Sequence, residues 1–300
     1  MIKIGCCGYP VSMKKYYENL DLVELNTTFY QYPRISTVEG WRAKAPENFE
    51  FTVKAHQDIS HRFKLEPEKE CLEAFQKMKE ICGILKAKIL LIQTPASFRP
   101  EKLEVAEKFF SQIPREGLTV VWETRGPAWE TEEVRQKLAE ILENLDVPHV
   151  VDPFKNLPVY VGKTAYFRLH GLGERLYYYQ FSDEELKRLF KIVKDYERRA
   201  DKVYVLFNNL AMFDDAVRFK HYIEKGSFPS LTENVGLESV REVLSKTRYP
   251  ASKSVLLKRV GWKLVEIERG NQVRLERILK EIPSKTYNDV DEVMKEIRIS

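Results

Sequence analysis

The sequence predicts an α/β protein: a TIM-type (β/α)8 barrel over residues 1–225, followed by a small, basic, mostly helical domain over residues 226–300. Two patterns predict the barrel. Eight short apolar or alternating runs are separated by stretches of helical spacing, the order expected of a parallel sheet covered by helices. Each run ends in polar residues of one parity, as barrel strands do where they open into a mouth. A third observation marks the appended domain: after Gly226 the segment Phe228-Pro229-Ser230 reads as a linker, and the spacing beyond it is helical.

The first strand is Ile2 to Cys7, ending at Gly8-Tyr9-Pro10, with a short helix through Tyr16 and Tyr17 after it. Leu22 to Asn26 is the second, with Glu24 and Asn26 on one face; the helix that follows includes Trp41 and is predicted to start at a Ser36 cap. The third runs from Phe49 to His56, where Thr52, Lys54 and His56 share one parity. A loop from Gln57 to Leu65 leads to Pro67 at a helix start, and Leu72, Phe75, Met78 and Ile81 then recur at helical spacing. Lys88 to Gln93 is nearly all apolar, as a strand buried on both faces should be. Pro100 opens the next helix, Thr119 to Glu123 is the fifth strand, Thr131 caps a helix to Leu145, and Pro148 to Asp152 is the sixth strand. The segment Pro153 to Lys163, with Pro158 and Gly162, reads as a loop where a helix would be regular.

In the seventh strand, Ala165 to Gly171, Phe167 and Leu169 alternate with Tyr166, Arg168 and His170, which sets a guanidinium and an imidazole on the polar face. Ser182-Asp183-Glu184-Glu185 is a capping box, and the eighth strand is Val203 to Asn209, with a helix through Val217 and Tyr222. The appended domain is predicted as helix Asn234 to Ser245, helix Ser252 to Val260, strand Lys263 to Glu268, and helices Gln272 to Lys280 and Asp289 to Glu296.

Three hundred residues with 43% hydrophobic content can bury a full core. No run reaches the roughly 18 apolar residues of a membrane span, and Met1-Ile2-Lys3-Ile4-Gly5 passes straight into a strand, so a cytoplasmic protein without a membrane partner is expected. Cys6, Cys7, Cys71 and Cys82 form no metal-ligand spacing and read as free thiols, Cys6-Cys7 as strand residues rather than a redox pair. Charged residues, dominated by Lys and Glu, make up 31% of the chain, a profile of heat-adapted surfaces. The net charge of +4 is uneven: Arg241 to Lys285 holds 12 basic and 5 acidic residues, a patch suited to a polyanion such as nucleic acid.

These segments together resemble the YecE-like barrel family, also called domain of unknown function 72. The resemblance rests on Val23-Glu24-Leu25-Asn26-Thr27-Thr28-Phe29-Tyr30, Trp41, Phe51-Thr52-Val53-Lys54, Ile59-Ser60-His61, Gln93-Thr94-Pro95-Ala96-Ser97-Phe98, Glu123-Thr124-Arg125, Trp129, Asp152, Tyr166 to Gly171, and Phe207-Asn208-Asn209. It implies a TIM-type barrel with polar residues around one mouth, and no established activity. Gly5-Cys6-Cys7-Gly8-Tyr9 stands where the family usually has Gly-Thr-Ser-Gly-Trp, and Gly126 where a His or Asn is common. The tail, with Tyr249-Pro250, Ile282-Pro283 and Tyr287, resembles a second small family of unknown function.

The mouth so predicted mixes Lys54, Arg125 and Arg168 with Glu24, Glu123 and Asp152, beside Asn26, His61, Gln93, His170 and Asn208. Cations at strand ends favour an anion. The first reading is therefore an enzyme, of hydrolase, lyase or isomerase type, or a binding protein for a sugar phosphate or nucleotide-like ligand. Glu123 or Glu24 would be its base and His170 its acid, with Lys54 and Arg168 holding the anion. The same charges also suit an ion-pair network bracing the barrel. No cofactor is demanded; a divalent metal on Glu24, Glu123, Asp152 and His170 is a second reading, opposed by the neighbouring cations. A third is nucleic-acid binding or processing through residues 241–285 and the loop Tyr177-Tyr178-Tyr179. His149 and His221 read as structural.

Overall fold

The computed structural model describes residues 1–298; the last two residues of the expected appended domain lie outside the described residues. Eight strands, β1 (Ile2–Cys7), β2 (Leu22–Leu25), β3 (Glu50–Lys54), β4 (Ile89–Gln93), β5 (Thr119–Glu123), β6 (His149–Val150), β7 (Thr164–Leu169) and β8 (Lys202–Phe207), form one parallel sheet in the order β6-β5-β4-β3-β2-β1-β8-β7. Its two ends meet where Val151 bridges Phe167 and the Val151 carbonyl accepts the Arg168 N–H at 3.0 Å. The result is the predicted TIM-type barrel, nearly closed.

Between the strands lie α1 (Met13–Tyr17), α2 (Thr27–Tyr30), α3 (Ile35–Lys44), α4 (Lys69–Leu85), α5 (Leu103–Gln112), α6 (Glu132–Leu145) and, after β7 and β8, α7 (Asp183–Glu197) and α8 (Met212–Lys225). The segment after β6 has turns and no helix, as its Pro and Gly content predicted. Ser36 is not a cap: α3 begins one residue before it, with Arg34 in the extended cap position and no side-chain bond. The capping box is formed, Ser182 N–H donating to Glu185 at 2.8 Å and Glu185 N–H to Ser182 Oγ at 3.3 Å.

Period-two alternation places the barrel interior. Cys7, Leu22, Ile89, Leu91, Val121, Val150, Tyr166, Tyr204 and Leu206 pack together as one cluster. Leu22, Leu91, Val121, Val150, Tyr166 and Leu206 each stand two residues before a polar residue of the predicted mouth, so every such strand turns an apolar rung and then a polar one toward the axis. Cys6, of opposite parity, stays out of that cluster, and all four cysteines are free and buried. Gly5 is required by closeness: a Cβ there would fall 2.3 Å from the Leu22 carbonyl oxygen of the neighbouring strand.

The chain divides into two compact units. One holds Met1–Leu169 and Lys191–Asn208; the other holds His170–Phe190 and the chain from Asn209 onward. The second unit has its own core of Val240, Leu244, Leu256, Val265, Leu275, Leu279, Tyr287 and Val293 among others. Its later elements are α9 (Leu237–Ser245), β9 (Ala251–Ser252), α10 (Lys253–Val260), β10 (Leu264–Glu268), β11 (Asn271–Arg274), α11 (Leu275–Leu279), β12 (Thr286–Tyr287) and α12 (Val290–Glu296). Two departures from expectation occur here. The predicted helix from Gln272 begins as strand β11, antiparallel to β10, and a two-stranded pair β9–β12 is added.

Candidate functional site

The carboxyl ends of β2, β3, β4, β5 and β7 bring five predicted residues together in the first unit. Arg168, 1% exposed, donates from Nε and Nη2 to the Glu24 carboxylate at 3.1 and 2.8 Å and from Nη1 to Glu123 Oε2 at 2.5 Å. Tyr166 donates to Glu24 Oε2 at 2.8 Å and lies 2.8 Å from Thr52 Oγ1. On the outer side, Arg125 Nε donates to Glu123 Oε1 at 2.8 Å. Burial disfavours the Arg168 charge, and the carboxylates of Glu24 and Glu123 more than offset it, so the guanidinium stays protonated.

This geometry revises two expected roles. Arg168 was expected to hold a ligand anion, yet its fork grips Glu24 and reaches Glu123, beneath the solvent-reaching groups. Glu24 was one of two expected bases, yet it is 0% exposed and both its oxygens accept from Arg168 or Tyr166. These two form the bracing ion pair that the sequence offered as an alternative.

Lys54 differs from them. Its Nζ is buried, donates to the neutral Oε1 of Gln93 at 2.8 Å, and lies 4.0 Å from the centre of the Phe29 ring. Burial, followed by the Arg168 charge, lowers its pKa to about 8 against the pull of Glu24 and Glu123. His61 packs edge-on against the same Phe29 ring at 5.0 Å, and its Nδ1 lies 2.8 Å from Ser60 Oγ. Burial, then the charges of Lys54 and Arg125, lowers the His61 pKa. His61 is carried on a single π-helical turn, Asp58–Arg62, where the sequence predicted only a loop.

The remaining predicted residues are placed as follows. Asn26 donates from Nδ2 to the Cys7 carbonyl at 3.1 Å, and its Oδ1 is buried without a hydrogen-bond partner. Asp152 Oδ1 accepts the Phe154 N–H at 3.2 Å. Asn208 follows β8, its N–H bonded to the Leu169 carbonyl at 2.8 Å. His170 belongs to the second unit, its ring 5.8 Å from that of Tyr177. His56 does not continue the mouth parity, because β3 ends at Lys54; its ring stacks on Tyr32 at 3.8 Å, and its Nδ1 accepts the Asp58 N–H at 3.1 Å. His149 is structural, as expected: it bonds Thr124 and the Val159 N–H, and burial lowers its pKa to about 3.

Sequence reasoning missed Phe29, Tyr166 and Thr52 as parts of the site. Tyr166 and Thr52 share the mouth parity and sit one rung below it, a signal the alternation already held. No group of three or more His, Cys, Asp or Glu side chains is placed to hold a metal ion among the described residues. No helix among them is long and apolar enough to cross a membrane.

Family comparison matches residues 9–229 to "Protein of unknown function DUF72" and residues 234–299 to "Family of unknown function (DUF5789)". The chain is 23% identical to the UPF0759 protein YunF of Bacillus subtilis over 267 residues, 75% of this chain and 94% of YunF. It is 29% identical to the UPF0759 protein YecE of Escherichia coli over 107 residues, 35% of this chain and 38% of YecE. Among solved structures, a DUF72 family protein from Thermotoga maritima aligns with a TM-score of 0.61 at 28% identity, covering 75% of this chain and 100% of the other. One from Enterococcus faecalis aligns at 0.64 and 23% identity, covering 75% and 98%.

Proposed function

The chain belongs to the DUF72 family of unknown function, and from that premise we propose that its barrel mouth binds a small phosphate-bearing molecule, a sugar phosphate or nucleotide-like compound, and acts on it by proton transfer. The observation that carries this reading is Lys54. Its ammonium group is desolvated and bonded directly to a neutral amide, with Glu24 and Glu123 acting on it only through space, so an incoming phosphate would supply a counter-charge in direct contact. Arg125, 30% exposed at its side chain, extends the positive rim from Glu123. The unpartnered Oδ1 of Asn26 suits a hydroxyl donor on the same ligand, which favours a polyol phosphate over bare phosphate.

Proton transfer falls to Lys54 and His61 in this reading. A lysine with a pKa of about 8 gives up a proton near neutral pH far more readily than a free one. His61, its pKa lowered by burial and by the Lys54 and Arg125 charges, is a neutral acceptor at pH 7. Glu24 and Arg168 hold the floor on which these groups stand.

Thermal-shift measurements with sugar phosphates, nucleotides and their unphosphorylated counterparts test this. A stabilising compound should be phosphorylated, and Lys54→Met should remove the shift while the protein remains folded. Equal shifts from unphosphorylated counterparts, or a shift that survives Lys54→Met, would sink the reading.

A further inference from the structure

From Val243 to Val265 the chain carries six Lys or Arg residues and no Asp or Glu. Within the second unit, this stretch meets the loop that follows β7. Arg175 Nη1 donates to the Lys258 carbonyl at 3.4 Å, and the Arg175 guanidinium lies over the Tyr178 ring, 3.1 Å from its centre. Tyr178 stands edge-on to Trp262 with centroids 6.2 Å apart. The Trp262 indole N–H donates to the Arg259 carbonyl at 2.8 Å, and Lys263 Nζ lies 5.6 Å from the Trp262 ring. The polar contacts of Arg175 and Arg259 are thus to backbone carbonyls, which leave their charges unneutralised; Arg259 also reaches the Arg248 carbonyl at 3.2 Å.

Some other surface cations are neutralised locally. Lys137, Lys187 and Arg198 each pair with a carboxylate three or four residues away on their own helices. Arg175, Lys258 and Arg259 are exposed and have no carboxylate partner among the described residues, while Tyr178 and Trp262 are half-buried. Uncompensated cations cost self-repulsion, and here they alternate with aromatic rings rather than standing apart from them.

We propose that this surface of the second unit binds single-stranded nucleic acid. Tyr178 and Trp262 offer ring faces to unpaired bases, and the guanidinium plane of Arg175 extends that platform. Lys258, Arg259 and Lys263 face the phosphates, at a spacing set by α10 and the turn after it. A lipid surface fits less well, because the apolar residues Leu256 and Val260 of α10 are spent in the unit's own core and leave no apolar helix face to insert. The inference does not rest on the barrel-mouth ligand.

The test is fluorescence anisotropy of labelled single-stranded DNA and RNA of about 16 nucleotides with the full chain, titrated from low to moderate salt. With three cations on phosphates, affinity should fall roughly 20-fold between about 50 and 200 mM salt. The double variant Lys258→Glu, Arg259→Glu, both exposed positions, should lower affinity at least about tenfold and flatten the salt slope. Tyr178→Ala with Trp262→Ala should also cost about tenfold or more, and Phe at both positions should restore most of it, which separates stacking from a folding defect. No binding at low salt, affinity unchanged in the charge variant, or binding to anionic vesicles instead of oligonucleotides would each overturn the proposal.

Discussion

Lys54 couples the fate of one proton to the stability of the whole barrel. A lysine in the unfolded chain titrates near about 10.4, whereas Lys54 in the fold titrates near about 8. Below pH 8 both states carry the charge, and the fold bears the full cost of burying it, at most roughly 3 kcal/mol from the size of the shift. Between about 8 and 10.4 the unfolded state binds more protons, so stability rises with pH, and above that window the cost is gone. Urea unfolding of wild type and Lys54→Met at pH 7 and pH 10 should therefore show wild type gaining on the variant as pH rises. A gap that does not move would mean the amine is not desolvated. Arg168 behaves in the opposite sense: removing it strands Glu24, 0% exposed, so Arg168→Met should cost about 3–5 kcal/mol of unfolding free energy. Arg168→Lys should recover little, because a single ammonium cannot replace the two-pronged grip on Glu24. At this scale the alternation of β7 and β2 told which side chains face inward, but not which would be consumed by one another. The distinction between Arg168 and Lys54 depends on cross-barrel distances that link residues 144 positions apart, and no local pattern carries those.

Elements bound by regular spacing were legible, and those bound by tertiary contact were not. The all-apolar β4, the capping box before α7 and the helix-free segment after β6 each follow from local chemistry that nothing in the fold opposes. The β10–β11 hairpin was missed because Gln272 to Lys280 also fits a helix; Arg269-Gly270-Asn271, with Gly270 at φ +79°, was the turn signal that could have found it. The segment Tyr179 to Ser182, leading into α7, has no regular structure of its own and is fixed instead by α8. Asp215, 0% exposed, accepts the Phe181 N–H at 3.2 Å and the Asn209 side-chain N–H at 2.7 Å, while Arg218 donates to the Phe181 carbonyl at 2.7 Å and to Asp183 at 2.5 Å. Asp215→Ala would remove the acceptor shared by the Phe181 N–H and the Asn209 amide, and one of the two carboxylates beside the Arg218 guanidinium, which keeps Asp183 and the Phe181 carbonyl. It should cost about 1–3 kcal/mol and open the loop around Tyr178 to limited proteolysis. Unchanged protease resistance would mean the loop is held by its own packing.

At the level of the molecule, the sequence suggested one cut, at residue 225, whereas the chain passes between compact units at 169/170, 190/191 and 208/209. The reason is a set of long-range bonds inside the second unit. Gln180 Oε1 accepts the Leu264 N–H at 2.9 Å, the Asp183 N–H donates to Gln272 Oε1 at 3.0 Å, and Arg274 donates to the Gln180 carbonyl at 3.2 Å while its guanidinium lies 3.9 Å from the Tyr179 ring centre. Linker composition near Gly226 announces a change of pattern, but it cannot announce that residues 170–190 take their partners from beyond it. A chain ended at residue 225 would therefore keep the contacts of this segment to Asn209 and α8 but lose the partners that Tyr179, Gln180 and Asp183 find beyond it, leaving the Gln180 side chain and the Asp183 N–H to find water or stay unpaired. Such a truncated protein should melt below the full chain and exchange its amide hydrogens faster across residues 172–190, with β1 to β5 little changed. Equal protection of residues 172–190 in the two proteins would support residue 225 as the boundary, in line with family matches that end at 229 and resume at 234. Loss of protection confined to that segment would make the second unit a single folding body assembled from both sides of β8.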